Sequence, residues 1–296
     1  MLTSHTSAYF FSFFKEPGLT SAEALDRLKR LLKIKKAGHC GTLDPMAEGL
    51  LVVAVNRATK LMRFVTDARK RYVGEFEVGK ESPTHDTESA VVITNPRADT
   101  AEVDWDRIVN IFSGVIYQIP PDFSAVRVGG VRSYTKARRG EKVDLPPKQV
   151  EIYHLEVTPL DRTRVGFIVE CSKGTYVRAL IRDIGAVAGT GAILTRLTRE
   201  AVGPFTIGNA VRLGEIKTHP EKVEQAKTSL IDFLRIFPWI TVGDTVYWRL
   251  RNGCDIRQLG LNLAEGHTVV FHGGEPVFLL EKEKSTYRYG VYLGRE

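Results

Sequence analysis

Long apolar runs, paired cysteines and metal-ligand spacings are all missing from this 296-residue chain. Its three cysteines, Cys40, Cys171 and Cys254, are isolated and odd in number, which fits a reducing compartment better than a disulfide framework. Neither Cys-x-x-Cys nor His-Glu-x-x-His occurs, so the common zinc arrangements are absent. No apolar stretch approaches the roughly 20 residues that a membrane span requires. The aromatic cluster Tyr9-Phe10-Phe11-Ser12-Phe13-Phe14 has neither a basic leader nor a small-residue cleavage site, so it does not read as a signal peptide. A soluble, cytoplasmic protein without membrane contact is expected.

Apolar residues at 43% and aromatics at 9% suffice for a conventional core. The length favours a large domain plus a small one, or a single domain of two lobes. Forty-two Lys and Arg against 35 Asp and Glu leave a formal charge of +7, an excess that favours a polyanionic partner.

The pattern alternates between helical and strand periods. Thr20 and Glu23 form a capping box; Leu25, Leu28, Leu31 and Leu32 make a helical stripe; Lys33, Lys35 and Lys36 follow as C-terminal cations, with Gly38 as the stop. Leu50 to Val55 is an apolar run of strand length, and Tyr72, Phe76 and Val78 alternate with Val73, Glu75 and Glu77. Asp104 caps a predicted helix whose stripe is Ile108, Ile111, Phe112 and Val115. From Ile119 to Lys148 the period breaks into Pro120-Pro121, Gly129-Gly130, Arg138-Arg139 and Pro146-Pro147, which suggests a functional insertion. Val165, Phe167, Val169 and Cys171 then alternate as a strand, and Val177, Leu180, Ile181 and Ile184 form a helical stripe. Beyond Phe237-Pro238 come short strands, including Thr268–Phe271 and Val277–Glu281 about the Gly273-Gly274 turn. The boundary divides the chain into 1–237 and a small domain, 238–296.

Two polar residues stand out against this background. Asp44 closes the octapeptide Gly38-His39-Cys40-Gly41-Thr42-Leu43-Asp44-Pro45, where glycines permit unusual torsions and Pro45 holds the preceding residue extended. A lone Asp-Pro is ordinarily a surface turn. Arg178 falls in the first turn of a predicted helix, where a cation faces the positive end of the dipole and is unfavourable without a nearby anion.

The ordered series Lys15-Glu16-Pro17-Gly18-Leu19-Thr20-Ser21, the Gly38–Pro45 octapeptide, Lys70-Arg71-Tyr72, Ile119-Pro120-Pro121 and Cys171-Ser172-Lys173-Gly174-Thr175-Tyr176-Val177-Arg178 resembles the motifs of the TruB family of tRNA pseudouridine synthases. The match covers about residues 14–208, and the C-terminal segment is more loosely similar to that family's PUA-type RNA-binding domain. The resemblance implies an α/β (α+β) pseudouridine-synthase fold with a mixed, largely antiparallel central sheet and flanking helices, followed by a small all-β PUA-like domain. It implies isomerisation of uridine 55 in the tRNA T loop, with no cofactor, no metal, no obligatory protein partner and a monomeric enzyme.

Residue by residue, the resemblance assigns Asp44 as the catalytic carboxylate, Arg178 as its partner and Tyr72 as the ring that stacks on the target uracil, its hydroxyl a candidate for proton transfer. Tyr176 and Leu197 align with substrate-contacting positions, although helix-start and core packing explain them as well. His39 is assigned to RNA conformation, filling the place of an extruded base. Lys15 supports the fold or the cleft wall. The insertion, with Arg132, Lys136, Arg138, Arg139 and Lys142, corresponds to the element that clasps the T arm. Glu16, Cys40, Phe123 and Arg127 depart from the family's usual residues, and none of these is Asp44, Tyr72 or Arg178. A non-catalytic RNA-binding protein or an aspartate-dependent nucleoside hydrolase are the rival readings. The first leaves Asp44 and Arg178 unexplained, and the second needs no RNA-clasping element.

Overall fold

The computed structural model describes residues 8–124, 126–128, 131–137, 139 and 144–294, with the side chains of residues 127, 128, 131, 132 and 137 outside the description. Arg138, Lys142 and Gly129-Gly130 lie outside the described residues, as does the Arg132 side chain.

The longer elements of the first part are β1 (Tyr9–Lys15), α1 (Ser21–Leu32), β2 (Ala37–His39), β3 (Glu48–Val55), β4 (Lys70–Val78), α2 (Trp105–Phe112), β5 (Gly114–Gln118), β6 (Lys148–Pro159), β7 (Arg164–Cys171), α3 (Val177–Ala188), β8 (Ala192–Val202) and β9 (Lys227–Ser229). They build one mixed sheet in the order β9-β1-β3-β8-β4-β7-β6-β5, with β2 and the short strand Phe205–Thr206 attached at its side. Every pairing along this order is antiparallel except β3 with β8, which run parallel through Thr198↔Glu48 and Arg199↔Gly49. A mixed, largely antiparallel sheet with flanking helices is therefore what the chain forms.

The alternation of β4 is exact to the residue: Lys70, Tyr72, Gly74, Phe76 and Val78 are buried and the residues between them are not. Likewise Val165, Phe167, Val169 and Cys171 face inward along β7, and Val177, Leu180, Ile181 and Ile184 of α3 pack in the same cluster. Helix α1 has the expected Thr20–Glu23 capping box, but it stops at Lys33, which takes a left-handed φ of 54° and bonds back to Lys29 O; Gly38 lies in β2. Helix α2 buries Ile108 and Phe112, whereas Ile111 is exposed and Val115 belongs to the next strand. The chain leaves the helix at Ser113, so the 3.6-residue stripe cannot extend to Val115.

The insertion contributes a small hairpin, Arg127–Val128 with Val131–Arg132, and a short helix, Ser133–Ala137. The C-terminal region forms a separate four-stranded sheet from β10 (Trp239–Thr241), β11 (Gly266–His272), β12 (Glu275–Glu283) and β13 (Thr286–Tyr292), with one helix, α4 (Asp244–Arg251). Its core includes Leu250, Val270, Val277 and Leu280, while Val269, Leu279 and Leu293 pack on the large sheet with Phe10, Leu50 and Val52. Arg57 and Lys60 donate to the Leu293 and Tyr292 carbonyls across this junction at 2.6 and 3.1 Å. No described helix is long and apolar enough to cross a membrane.

Candidate active site

The turn between β2 and β3 carries Asp44 and is fastened from three directions. Gly41 takes a φ of 109°, a region that admits glycine far more readily than other residues. Ser21, in the first turn of α1, both accepts from Leu43 N (2.8 Å) and donates to Leu43 O (3.0 Å). Lys15, fully buried at the end of β1, donates to Pro45 O (3.2 Å), Ala47 O (2.7 Å) and Glu16 O (3.0 Å). Arg199 of β8, 1% exposed, donates to Gly41 O (3.1 Å), Thr42 O (3.3 Å) and Leu50 O (2.8 Å). A turn whose carbonyls are held by buried donors keeps its side chain in one place, which a catalytic group requires.

The Asp44 carboxylate, about a third exposed, meets Arg178 in a fork: Nε to Oδ2 at 2.8 Å and Nη2 to Oδ1 at 3.0 Å. Arg178 is 5% exposed and spends its remaining donors on Thr84 O (2.9 Å) and Phe123 O (3.1 Å). Its unfavourable place at the start of α3 is thus offset by an anion on each side, because Asp86 Oδ2 also lies 3.5 Å from Nε. Asp86 is fully buried; Thr84 Oγ1 and Glu88 N donate to its Oδ1, and its Oδ2 has no hydrogen bond, only the charge of Arg178. Burial, and then the charges of Asp86 and Asp44, raise the Glu88 carboxyl above its ordinary range.

Tyr72 is 7% exposed and shares a core cluster with Leu43 and Leu197. Burial raises its phenol above the ordinary value, with the Arg199 guanidinium opposing. Tyr176 is the residue at which α3 begins; its N–H donates to Gln118 Oε1 at 3.1 Å and its carbonyl accepts from Gln118 Nε2 at 3.3 Å. Leu197 is 6% exposed within the core. His39 ends β2 opposite Val53, partly buried, with its Nδ1 without a hydrogen bond. Burial and the nearby Arg199 charge lower its pKa, so the neutral ring is favoured.

Asp44, Arg178, Tyr72, Lys15 and Tyr176 are thus gathered around the Asp44 turn, and Leu197 and His39 join them through their neighbours Tyr72 and Arg199. Arg139 is exposed on the insertion. Two residues of the site have no sequence signal in their own segments: Asp86 sits in an aperiodic loop, and Arg199 follows a Leu-Thr-Arg-Leu-Thr run whose alternation does not distinguish a buried cation from an exposed one. Ser21 belongs to the first motif, but nothing local to it marks it as the clamp on Leu43.

The Asp44 carboxylate, forked by a helix arginine beside a buried tyrosine, thus stands on a mixed sheet that carries a second, smaller sheet. The solved structure of a Cbf5-Nop10-Gar1 complex has the same fold, with a TM-score of 0.70, 22% identity and coverage of 99% of this chain and 88% of that one. The chain belongs to the TruB family: the profile of the TruB family pseudouridylate synthase (N terminal domain) matches residues 29–177. Proteins named tRNA pseudouridine synthase B are similar over most of its length. That of Bradyrhizobium diazoefficiens is 39% identical, covering 94% of this chain and 77% of that one, and that of Streptococcus pyogenes serotype M2 is 37% identical, covering 93% and 95%. The Rhodopseudomonas palustris protein is 44% identical across 74% of this chain and 60% of its own. The chain is an enzyme of the isomerase class.

Lys15 offers a test of the turn's fastening. Burial pushes its ammonium pKa down to about 8, so the charge is held at a cost, and Lys15→Met removes that cost together with the bonds to Pro45 and Ala47. The two effects oppose, and the unfolding free energy in urea is expected to change by less than about 1 kcal/mol. The isomerisation rate is expected to fall about tenfold or more, because a loosened turn misplaces Asp44.

Proposed function

We propose that this protein isomerises uridine 55 in the T loop of tRNA to pseudouridine, with Asp44 as the catalytic carboxylate. The observation that carries the reading is the forked Asp44–Arg178 pair held beside Tyr72, supported by relatives named tRNA pseudouridine synthase B.

The reaction breaks the bond between uracil N1 and the ribose carbon, turns the base, and forms a bond from uracil C5 to the same carbon; C5 loses a proton and N1 gains one, so the product is an isomer. Nothing is oxidised or reduced. A carboxylate on a fixed turn divides this hard exchange into easier steps, as other covalent catalysts do. Arg178 aims both oxygens of Asp44 and keeps the carboxylate from rotating. Tyr72 stacks its ring on the uracil, and its hydroxyl serves proton transfer. Tyr176 and Leu197 complete the contact with the base, and Lys15 holds the cleft wall from behind. The target must leave its stack before any of these groups reach it, and the His39 ring fills the vacated place, offsetting part of an unstacking cost of a few kcal/mol.

The T arm lies against the insertion, where Arg132, Arg138 and Arg139 contact phosphates that position the RNA without reading its sequence. The region 238–296 acts as a PUA-like RNA-binding domain. The enzyme works in the cytoplasm as a monomer and needs no partner protein.

Incubation of the purified chain with an unmodified tRNA transcript is expected to give pseudouridine at position 55 alone, as read by reverse-transcription mapping. The affinity for the transcript is expected to fall linearly on a log–log plot against salt, from release of counterions. Binding without pseudouridine would instead mark a non-catalytic RNA-binding protein, and accumulation of free uracil a hydrolase.

A further inference from the structure

Among the described residues Arg199 is the largest fully buried side chain, and none of their carboxylates lies within ion-pair distance of it. A buried, unmatched cation is costly unless its hydrogen bonds are well placed. Here they are placed on the catalytic turn, at the carbonyls of Gly41 and Thr42, and on Leu50 at the start of the apolar run of β3. The sheet register puts Arg199 directly opposite Tyr72 on β4 and opposite Gly49 on β3. Cross-strand partners share a face of the sheet, so the Arg199 and Tyr72 side chains are neighbours. The Arg199 charge opposes the rise that burial gives the Tyr72 phenol.

Gly49 explains how the backbone of β8 comes so close to β3 at this point. Its φ is 106°, and a Cβ there would come within 2.5 Å of the Arg199 carbonyl oxygen, so only glycine lets β8 run this close to β3. No side chain stands on β3 between Arg199 and the turn carbonyls at that register position. One side chain therefore holds the Asp44 turn by hydrogen bonds and stands beside Tyr72 across the sheet.

We infer that Arg199 is a positioning residue for isomerisation, fixing the Asp44 turn and the Tyr72 hydroxyl relative to one another so that carboxylate and phenol act as one unit. The inference rests on the proposed roles of Asp44 and Tyr72. Arg199 does not touch substrate. It acts through the carbonyls of residues 41 and 42 and through its place beside the Tyr72 side chain across the β8–β4 pairing. A methionine of similar length preserves the packing and removes every donor; a lysine keeps one charge and loses the fork.

The test is a double-mutant cycle on single-turnover isomerisation of a tRNA transcript, with Arg199→Met, Arg199→Lys, Tyr72→Phe and the two pairs. Arg199→Met is expected to lower the rate about thirtyfold or more in the wild-type background and less than about fivefold in the Tyr72→Phe background, with transcript affinity changed less than about threefold. Arg199→Lys is expected to fall between, and it carries the cycle if the methionine variant does not fold. Equal fold-losses in both backgrounds, or a loss of affinity that accounts for the rate, would overturn the positioning role and leave Arg199 as a structural residue. A wild-type protein that forms no pseudouridine in the same assay would overturn the functional reading itself, a result separate from any pattern among the variants.

Discussion

Asp44→Asn is expected to abolish pseudouridine formation, lowering the single-turnover rate by at least about 10⁴-fold, or about 5.5 kcal/mol of barrier at about 1.4 kcal/mol per tenfold. The amide is isosteric, and the turn that carries it is held through its backbone by Ser21, Lys15 and Arg199, so the fold loses little. Asn has neither the nucleophilicity nor the charge of a carboxylate, and its amide nitrogen places a donor where Arg178 presents donors. Because the proposed role of Asp44 is in the chemical step and not in holding the RNA, transcript affinity is expected to remain within about threefold of wild type. The check is rate and affinity measured on the same preparation. A variant retaining more than about a hundredth of the wild-type rate would remove Asp44 from the chemistry.

The second large effect is expected at Arg178. Its four hydrogen bonds join Asp44, Thr84 O and Phe123 O, and its charge is the only one within ion-pair distance of the buried Asp86 among the described residues. Arg178→Lys keeps a charge, but a lysine cannot fork a carboxylate and reach two further carbonyls, and about a hundredfold loss in rate is expected. Arg178→Met goes further by leaving Asp86 buried and unpaired, which should cost about 3–5 kcal/mol of stability as well as the activity. Urea unfolding beside single-turnover kinetics separates the two variants: lysine is expected to be mainly a rate defect, methionine a defect in both. If lysine restored full rate, the fork geometry would be irrelevant and only the charge would matter.

Much of this site is legible in the sequence because local rules act on it. The Gly-bracketed Asp-Pro turn, the period-two alternation around Tyr72 and the misplaced cation at the start of α3 each mark a residue by a conflict or pattern visible within ten positions. Asp86 and Arg199 leave no such mark. Their burial is decided by partners more than 90 residues away for Asp86 and about 150 away for Arg199, and a charged residue in an irregular loop or at a strand position looks solvated until those partners arrive. The end of α1 illustrates the same limit at the backbone: Lys33 adopts the left-handed cap that a glycine would be expected to take, leaving Gly38 free to enter β2. In the small C-terminal region, α4 has too weak an apolar stripe to be separated from the surrounding strands, since Leu250 is its one buried residue.

The reading that Asp44 drives a C5-glycosidic isomerisation is tested most directly with a tRNA transcript carrying tritium at C5 of uridine. Forming the carbon–carbon bond must expel that hydrogen, whereas binding alone or hydrolysis of the base leaves it in place. Wild-type protein is expected to release one equivalent of tritium per tRNA, with Asp44→Asn releasing none above background while still binding the transcript. Bound transcript with no tritium released by the wild type, or equal release by the two proteins, would contradict it.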